Sequence, residues 1–132
     1  MMDCLFCKIV AGEIPSRQVY ADDTAIAFLD INPVHPGHTL VIPRRHVDDV
    51  LADAAVLAEI APAVSATARL LVDKLGADGL NLLSSAGAVA GQEVFHLHVH
   101  LIPRTAEHPG MREFLVREPV GDLDALHARI VG

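Results

Sequence analysis

The sequence of 132 residues contains no tryptophan, and aromatic residues make up only 4% of it. Hydrophobic residues nevertheless reach 52%, so a core has to be built mostly from Val, Leu, Ile and Ala. The length suits one domain, and no repeat, linker or low-complexity segment divides it. We therefore expect residues 1–132 to form a single domain.

Basic residues and long apolar runs are also scarce. Ten Lys and Arg stand against 17 Asp and Glu, which gives a formal net charge of −7. This balance argues against non-specific nucleic-acid binding, because such binding needs many cations to neutralise phosphates. No continuous apolar run approaches the roughly 20 residues of a membrane span, and no signal-peptide pattern is present. We expect a cytoplasmic protein without nucleic-acid or membrane partners.

Cysteine occurs only twice, as Cys4 and Cys7 in the segment CLFC. In a reducing compartment this spacing favours a metal or redox centre over a structural disulfide. The residues alone leave open a zinc site, metal-free thiols or a redox pair. No βαβ pattern surrounds the pair, which counts against a thioredoxin-like redox role.

The order of strand and helix patterns predicts an α+β domain with an antiparallel sheet. Pro62 lies inside the longest helical pattern and is expected to kink or split that helix, whereas Gly76 is a good helix end. The predicted strands cover residues 18–21, 25–30, 38–43, 79–85 and 94–103, and the predicted helices are a short N-terminal one, 53–75 and 122–131.

Three histidines recur at every second position in FHLHVHLIPR. Strand alternation puts His96, His98 and His100 on one face, opposite a core face made by Phe95, Leu97, Val99 and Leu101. Such a row could be a solvated face, a metal site or a nucleophilic centre in which one imidazole attacks phosphorus.

The segment AGAVAGQ runs directly into the histidine row. It could be a plain solvent turn, but Gly87 and Gly91 allow close approach of backbone to a ligand, and Gln92 offers an amide donor. Backbone N–H groups of such a loop can hold an anion. A phosphate site beside three imidazoles favours the nucleophilic interpretation.

The segment HLHVHLI, residues 96–102, resembles the His-φ-His-φ-His-φ-φ signature of the histidine triad (HIT) family of nucleotide hydrolases and transferases. CLFCKIVAGEIPS, FLDINPVHPGHTLVIPRRH and AGQEVFHLHVHLIPR also resemble family segments, in the right order. The third histidine is typical of the hydrolases in this family. Among them, the chain resembles the bacterial purine nucleoside phosphoramidase group. The resemblance implies a HIT-like fold with a five-stranded antiparallel sheet, a long helix and a short N-terminal helix, and it implies a homodimer.

The resemblance also implies roles for the histidines. His98 would attack the α-phosphate of a purine nucleotide and form a nucleotidyl-histidine, from which water releases the nucleoside monophosphate. His100 would contact the phosphate and help to protonate the leaving group. His38 would support the triad, although a histidine after Pro-Gly is by itself more often a loop residue.

The nucleotide contacts implied by the resemblance fall into two groups. Asp30 would accept hydrogen bonds from the ribose hydroxyls, although alone it could be a turn or cap residue. The remaining candidates are Phe28 and Ile31 for the base, and Ser85, Gly91, Gln92 and His100 for the phosphate.

The chain departs from many relatives at two places. Ser84-Ser85 stands where they have Asn, and Glu93 stands where they have Ser or Thr. A carboxylate at position 93 would repel a phosphate unless it points away or pairs with a cation. The contacts to the leaving group are therefore expected to differ.

Family members with a similar N-terminal Cys-x-x-Cys bind one structural zinc. The matching ligands here are Cys4, Cys7, His46 and His96, a closed Cys₂His₂ set. No organic cofactor is expected.

The predicted function is hydrolysis of nucleoside 5′-phosphoramidates or related nucleotidyl conjugates through His98. The alternatives are a dinucleoside polyphosphate hydrolase, a slow-turnover nucleotide-binding module, or a zinc-dependent hydrolase whose triad holds the catalytic metal. The sequence assigns no role to His35, His108 or His127.

Overall fold

The structure, a computed structural model, describes residues 3–111 and 113–132. Its centre is one antiparallel five-stranded sheet with the strand order β1-β2-β3-β5-β4, which confirms the expected α+β architecture. The strands are β1 (Gln18–Ala21), β2 (Ala25–Leu29), β3 (Thr39–Pro43), β4 (Gly79–Leu83) and β5 (Val99–Arg104). The helices are α1 (Leu5–Val10), α2 (Ala54–Leu75) and α3 (Leu123–Val131), with 3₁₀ turns at Ala88–Ala90 and Glu113–Leu115.

The long helix α2 is continuous across Pro62, so the expected split does not occur. Proline removes the hydrogen bond to the carbonyl of Ala58, but both residues are exposed and water can satisfy that carbonyl. Asp53 caps the first turn by accepting from the N–H of Ala55 at 2.9 Å. Gly76 ends the helix in the left-handed conformation, at a φ of 64°.

Two layers of apolar side chains cover opposite faces of the sheet. In β3, Val41 belongs to the core cluster that includes Val56 and Ile60 of α2, whereas Leu40 and Ile42 belong to the cluster under α1. Because successive strand residues face opposite sides, α1 and α2 lie on opposite faces.

By length and apolar composition alone, α2 could cross a membrane. Core helices of globular domains meet the same criterion, and one side of α2 packs on the sheet. Its buried residues are Val56, Ile60, Ala63, Thr67 and Leu71. The composition of α2 is therefore accounted for by its place in the core.

The strand that carries the triad is shorter than the sequence predicted. β5 begins only at Val99, because β3 ends at Pro43, which has no N–H to continue the ladder. Leu97 donates its N–H to the Val47 carbonyl at 2.8 Å instead. Placing Phe95 in the core was also wrong, since it is 48% exposed. The other members of that predicted face, Leu97, Val99 and Leu101, are buried as expected.

The C-terminal segment forms the expected helix, with Asp122 as its N-cap accepting from the N–H of Ala125 at 3.0 Å. No residue of α3 is buried. The helix therefore adds nothing to the described core.

Candidate active site and metal-ligand cluster

His98 has one ring nitrogen tied to the protein and the other free. Its Nδ1–H donates to the backbone carbonyl of His96 at 2.8 Å, because a carbonyl can only accept. The proton is thereby fixed on Nδ1, and Nε2 keeps an unshared electron pair. His98 lines a cleft in the protein surface while its side chain is almost fully buried. This is the geometry that a nucleophilic imidazole needs.

His38 and His100 form a hydrogen-bonded pair with a defined proton order. The N–H of Val34 donates to Nδ1 of His38 at 3.0 Å, so the His38 proton sits on Nε2. That N–H donates to Nδ1 of His100 at 2.9 Å, which leaves the His100 proton on Nε2. The ring centroid of His98 lies 4.9 Å from that of His100, so the imidazoles of His38, His98 and His100 are neighbours.

Burial keeps His38 and His100 neutral. It lowers the pKa of His100 to about 4, with the neighbouring His98 and His38 adding to the effect and Asp30 opposing it. Burial likewise lowers the pKa of His38, and the negative charge of Asp30 partly opposes this shift. Because neutral imidazole is a very weak acid, the Nε2–H of His100 in the free protein is a hydrogen-bond donor suited to a phosphate oxygen.

Asp30 makes a turn contact and also lines the cleft. Its Oδ1 accepts from the N–H of Asn32 at 2.8 Å, which is a turn contact. Its Oδ2 lies 3.6 Å from Nε2 of His38, and the residue lines the cleft. A carboxylate oxygen is therefore available to the cleft, and recognition of ribose by Asp30 stays a prediction.

The cleft has a volume of about 460 Å³, within the range of small-molecule sites. Of the predicted contacts it brings together Phe28, Asp30, Ile31, Gly91, His98 and His100. Sequence reasoning missed Phe6 of α1, whose ring centroid lies 5.1 Å from that of His98 in an edge-to-face arrangement. The signal was an apolar aromatic residue between the two cysteines.

Gln92 and Ser85 do not line the cleft in the part of the chain that the structure describes. Gln92 is buried behind the loop, where its Oε1 accepts from the N–H of Gly87 at 2.8 Å. Its Nε2 donates to the carbonyls of Asp48 at 2.6 Å and Val94 at 3.0 Å. Both amide hydrogens are therefore used within the protein, and Gln92 braces the loop.

Ser84, for which the sequence predicted no contact, bonds the backbone of His98 directly. Its hydroxyl donates to the carbonyl of His98 at 2.7 Å. That contact holds the backbone of the candidate nucleophile, and no sequence pattern signalled it.

A second group of side chains converges beneath α1. Ligand atoms of Cys4, Cys7, His46 and His96 all lie within 4.8 Å of one another, and we call this group the metal-ligand cluster. Sγ of Cys7 lies 3.4 Å from Nδ1 of His46, and Sγ of Cys4 lies 3.4 Å from Nδ1 of His96. The structure therefore brings together all four ligands that the sequence analysis named.

The outer contacts of the two imidazoles point their electron pairs inward. His46 donates Nε2–H to the Asp48 carboxylate and His96 donates Nε2–H to the Pro43 carbonyl, each at 2.9 Å. Both Nδ1 atoms then carry unshared pairs, and they face each other at 3.2 Å. Burial also lowers the pKa of His96, which disfavours a proton between them.

The thiols of the cluster are also shaped by their surroundings. Without a cation, burial and the Cys4 hydrogen bond raise the pKa of Cys7 to about 11. Two facing electron pairs repel each other unless a proton or a cation lies between them, and the Cys₂His₂ donor set fits zinc.

The triad itself does not converge on one point. Among the described residues, His96 belongs to the metal-ligand cluster, His100 groups with His38 and Asp30, and His98 belongs to neither group. The geometry therefore does not support the alternative in which all three triad histidines hold a catalytic metal.

A model of the HIT domain matches residues 11–107. The chain belongs to the HIT family. The matched region of this HIT protein contains His38, His98 and His100, and two members of the metal-ligand cluster, His46 and His96.

Relatives of this HIT protein come from several lineages. It is 48% identical over 109 residues to the Protein hit of Bacillus subtilis, covering 82% of this chain and 75% of that one. It is 38% identical over 112 residues to the adenosine 5′-monophosphoramidase hnt1 of Schizosaccharomyces pombe, covering 83% and 80%. Identity to the adenylylsulfatase HINT3 of Arabidopsis thaliana is 42% over 103 residues, covering 77% of this chain and 52% of that one.

Solved structures show the same architecture. The crystal structure of SMU.412c from Streptococcus mutans superposes with a TM-score of 0.84 at 44% identity, covering 99% of this chain and 82% of that one. The HIT-like fold expected from the resemblance is thereby confirmed.

Proposed function

We propose that this HIT-family nucleotide hydrolase cleaves nucleoside 5′-phosphoramidates through a covalent intermediate on His98. The observation that carries the proposal is the free Nε2 of His98, which lines the cleft while Nδ1 is held by a backbone carbonyl. A relative named as an adenosine 5′-monophosphoramidase and another named as an adenylylsulfatase support a nucleotidyl substrate.

The cleft offers a place for each part of such a substrate. The base would lie against the apolar wall that includes Phe6 and Phe28, and the ribose hydroxyls would donate to Asp30. The Nε2–H of His100 would donate to a phosphate oxygen beside Nε2 of His98. Because burial keeps both His38 and His100 neutral, their task is positioning and hydrogen bonding.

The chemistry then proceeds in two displacements. Nε2 of His98 forms a bond to phosphorus while the P–N bond breaks, and the nitrogen, protonated from solvent, leaves as a neutral amine. The nucleotidyl-imidazole carries a positive charge that the His96 carbonyl stabilises through Nδ1–H. Water next adds its oxygen to phosphorus and gives its proton to solvent, and the electron pair returns to Nε2.

Mass spectrometry of the intact protein tests the intermediate. Mixing with adenosine 5′-phosphoramidate and quenching under alkaline conditions should trap an adenylate on His98. The adduct should be absent from His98→Ala and present in His127→Ala, a matched control at an exposed site on α3. Equal AMP release by wild type and His98→Ala would contradict the proposal. Nucleotide binding without adduct or AMP release would favour a binding module.

We also propose that the metal-ligand cluster holds one structural Zn²⁺. The support is the Cys₂His₂ donor set and the two facing Nδ1 atoms, which a cation between them would reconcile. Four protein ligands leave no open position for substrate, so the metal would supply structure and no catalytic step. Its ligand His96 provides the carbonyl that orients His98.

A homodimer with sheets joined across the interface is a further part of the proposal. β4 is an edge strand, and Leu82 within it is 57% exposed. Unpaired edge strands with exposed apolar side chains are natural sites for pairing with another chain. Light scattering coupled to gel filtration should give the mass of two chains, and a monomer at micromolar concentration would contradict the proposal.

A further inference from the structure

Glu93 is a charged residue on the wall of the cleft that the proposed mechanism does not use. It lines the cleft together with Gly91 and Val94, and it is exposed, so its carboxylate reaches solvent at the cleft mouth. Within the described part of the chain, no basic side chain lies within ion-pairing distance of it. Its charge is therefore available to a ligand.

The position of Glu93 is fixed by its neighbour. Gln92 is buried and makes three hydrogen bonds, to Gly87, Asp48 and Val94. This brace holds the backbone of the loop at the point where it enters the triad segment. The carboxylate of Glu93 is thus attached to a fixed part of the wall.

The rest of the cleft does not compensate for this charge. Among the described lining residues, Arg17 is the one permanent cation, and Asp30 adds a second carboxylate. His100 is neutral because burial lowers its pKa to about 4. The whole chain carries a formal charge of −7. A polyanionic leaving group would meet repulsion here, whereas a cationic one would be attracted.

We propose that Glu93 selects substrates whose leaving group carries a positive charge, namely nucleoside phosphoramidates of amines that bear a second, protonated amino group. The inference rests on the proposed function and narrows its substrate class. The apolar wall and Asp30 take the nucleoside, so the leaving group is the part of the substrate that extends toward the mouth. There its ammonium group pairs with Glu93, and the same carboxylate disfavours dinucleoside polyphosphates.

The test uses adenosine phosphoramidates of putrescine, pentylamine and aminovalerate, which present an ammonium, a methyl and a carboxylate group at the same distance. At low ionic strength, kcat/KM of the wild type should fall about fivefold at each step of this series, as expected for an exposed charge pair. Added salt should reduce the differences in kcat/KM among the three conjugates, because ions screen exposed charges.

Glu93→Gln keeps the shape of the side chain and removes its charge, and it should bring the three kcat/KM values to within about twofold of one another. Glu107→Gln changes the net charge equally at an exposed position outside the cleft lining, and it should keep the full series. A preference that survives in Glu93→Gln would overturn the role of Glu93.

The pentylamine conjugate, whose leaving group ends in an uncharged methyl, distinguishes failure of the proposed function from failure of the Glu93 inference. If wild type hydrolyses it and His98→Ala does not, the proposed function stands, and equal kcat/KM for all three conjugates would then overturn the Glu93 inference alone. If wild type hydrolyses none of the three, the proposed function fails and the inference fails with it.

Discussion

His96 and His98 are two residues apart, yet their imidazoles belong to different chemical environments. The ring of His96 uses Nε2 to bond the Pro43 carbonyl and turns Nδ1 toward two cysteines and His46. The ring of His98 uses Nδ1 to bond the His96 carbonyl and leaves Nε2 free beside the cleft. The nitrogen that each imidazole leaves available is thus set by which nitrogen bonds the backbone. The His96 carbonyl joins the two environments.

The difference between His96 and His98 can be tested by deleting each ring and supplying free imidazole in solution. In His98→Gly, turnover of adenosine 5′-phosphoramidate should fall at least about a thousandfold, and added imidazole should restore part of it, because the missing group is a free electron pair. In His96→Gly, imidazole should restore nothing, because the missing ring supports structure. The measurement is the steady-state rate of each variant with and without added imidazole. Equal rescue of both variants would contradict the division of roles.

The metal-ligand cluster can be tested through stability. His46→Ala should lose bound zinc and destabilise the protein by about 4 kcal/mol, the scale of losing a structural metal. The same substitution at His35, a half-buried histidine outside the cluster, should leave the zinc content unchanged. Metal analysis and thermal unfolding are the measurements.

A chelator distinguishes the metal from the side chain. It should lower the Tm of the wild type and leave that of His46→Ala unchanged. If the protein holds no metal, removing one of two facing electron pairs should instead be neutral or stabilising, and a higher Tm for His46→Ala would contradict the zinc proposal.

Burial of His100 predicts a pH dependence of stability. Since the folded-state pKa of His100, about 4, lies below the ordinary value of 6.5, folding favours the neutral form. Its contribution is fully present above pH 6.5 and is lost as the pH falls toward 4. After allowance for partial solvent exposure, the loss should be about 2 kcal/mol.

Denaturant unfolding of wild type and His100→Asn between these pH values checks this prediction. The variant removes the titrating ring, so its stability should fall less steeply with acid. Any contribution from the metal-ligand cluster is common to both proteins and cancels in the difference. Parallel pH profiles would show that the His100 pKa is not depressed.

Sequence patterns predicted the sheet, the long helix and the alternation of His98 and His100, because these depend on local periodicity. They did not predict that β5 begins only at Val99, because the limit is set by Pro43 on the neighbouring strand. Sequence patterns also could not predict which way the Gln92 amide points, because its acceptor, the Asp48 carbonyl, lies 44 residues away in the chain. The family resemblance supplied His46 and His96 as partners of Cys4 and Cys7, which spacing alone could not have joined.

The two serines before the glycine loop give the smallest and most local test. Ser84 donates to the carbonyl of His98, whereas Ser85 neither lines the cleft nor makes that contact. Ser84→Ala should lower the free energy of unfolding by about 1 kcal/mol, because one hydrogen bond is lost. It should also lower kcat several-fold with little change in KM, because that bond positions the nucleophile. Ser85→Ala is the matched control and should change kcat less than twofold. If Ser85→Ala were the more damaging change, the phosphate contact that the sequence assigned to Ser85 would be made only when substrate is bound, and the free-protein geometry of this loop would not be its working geometry.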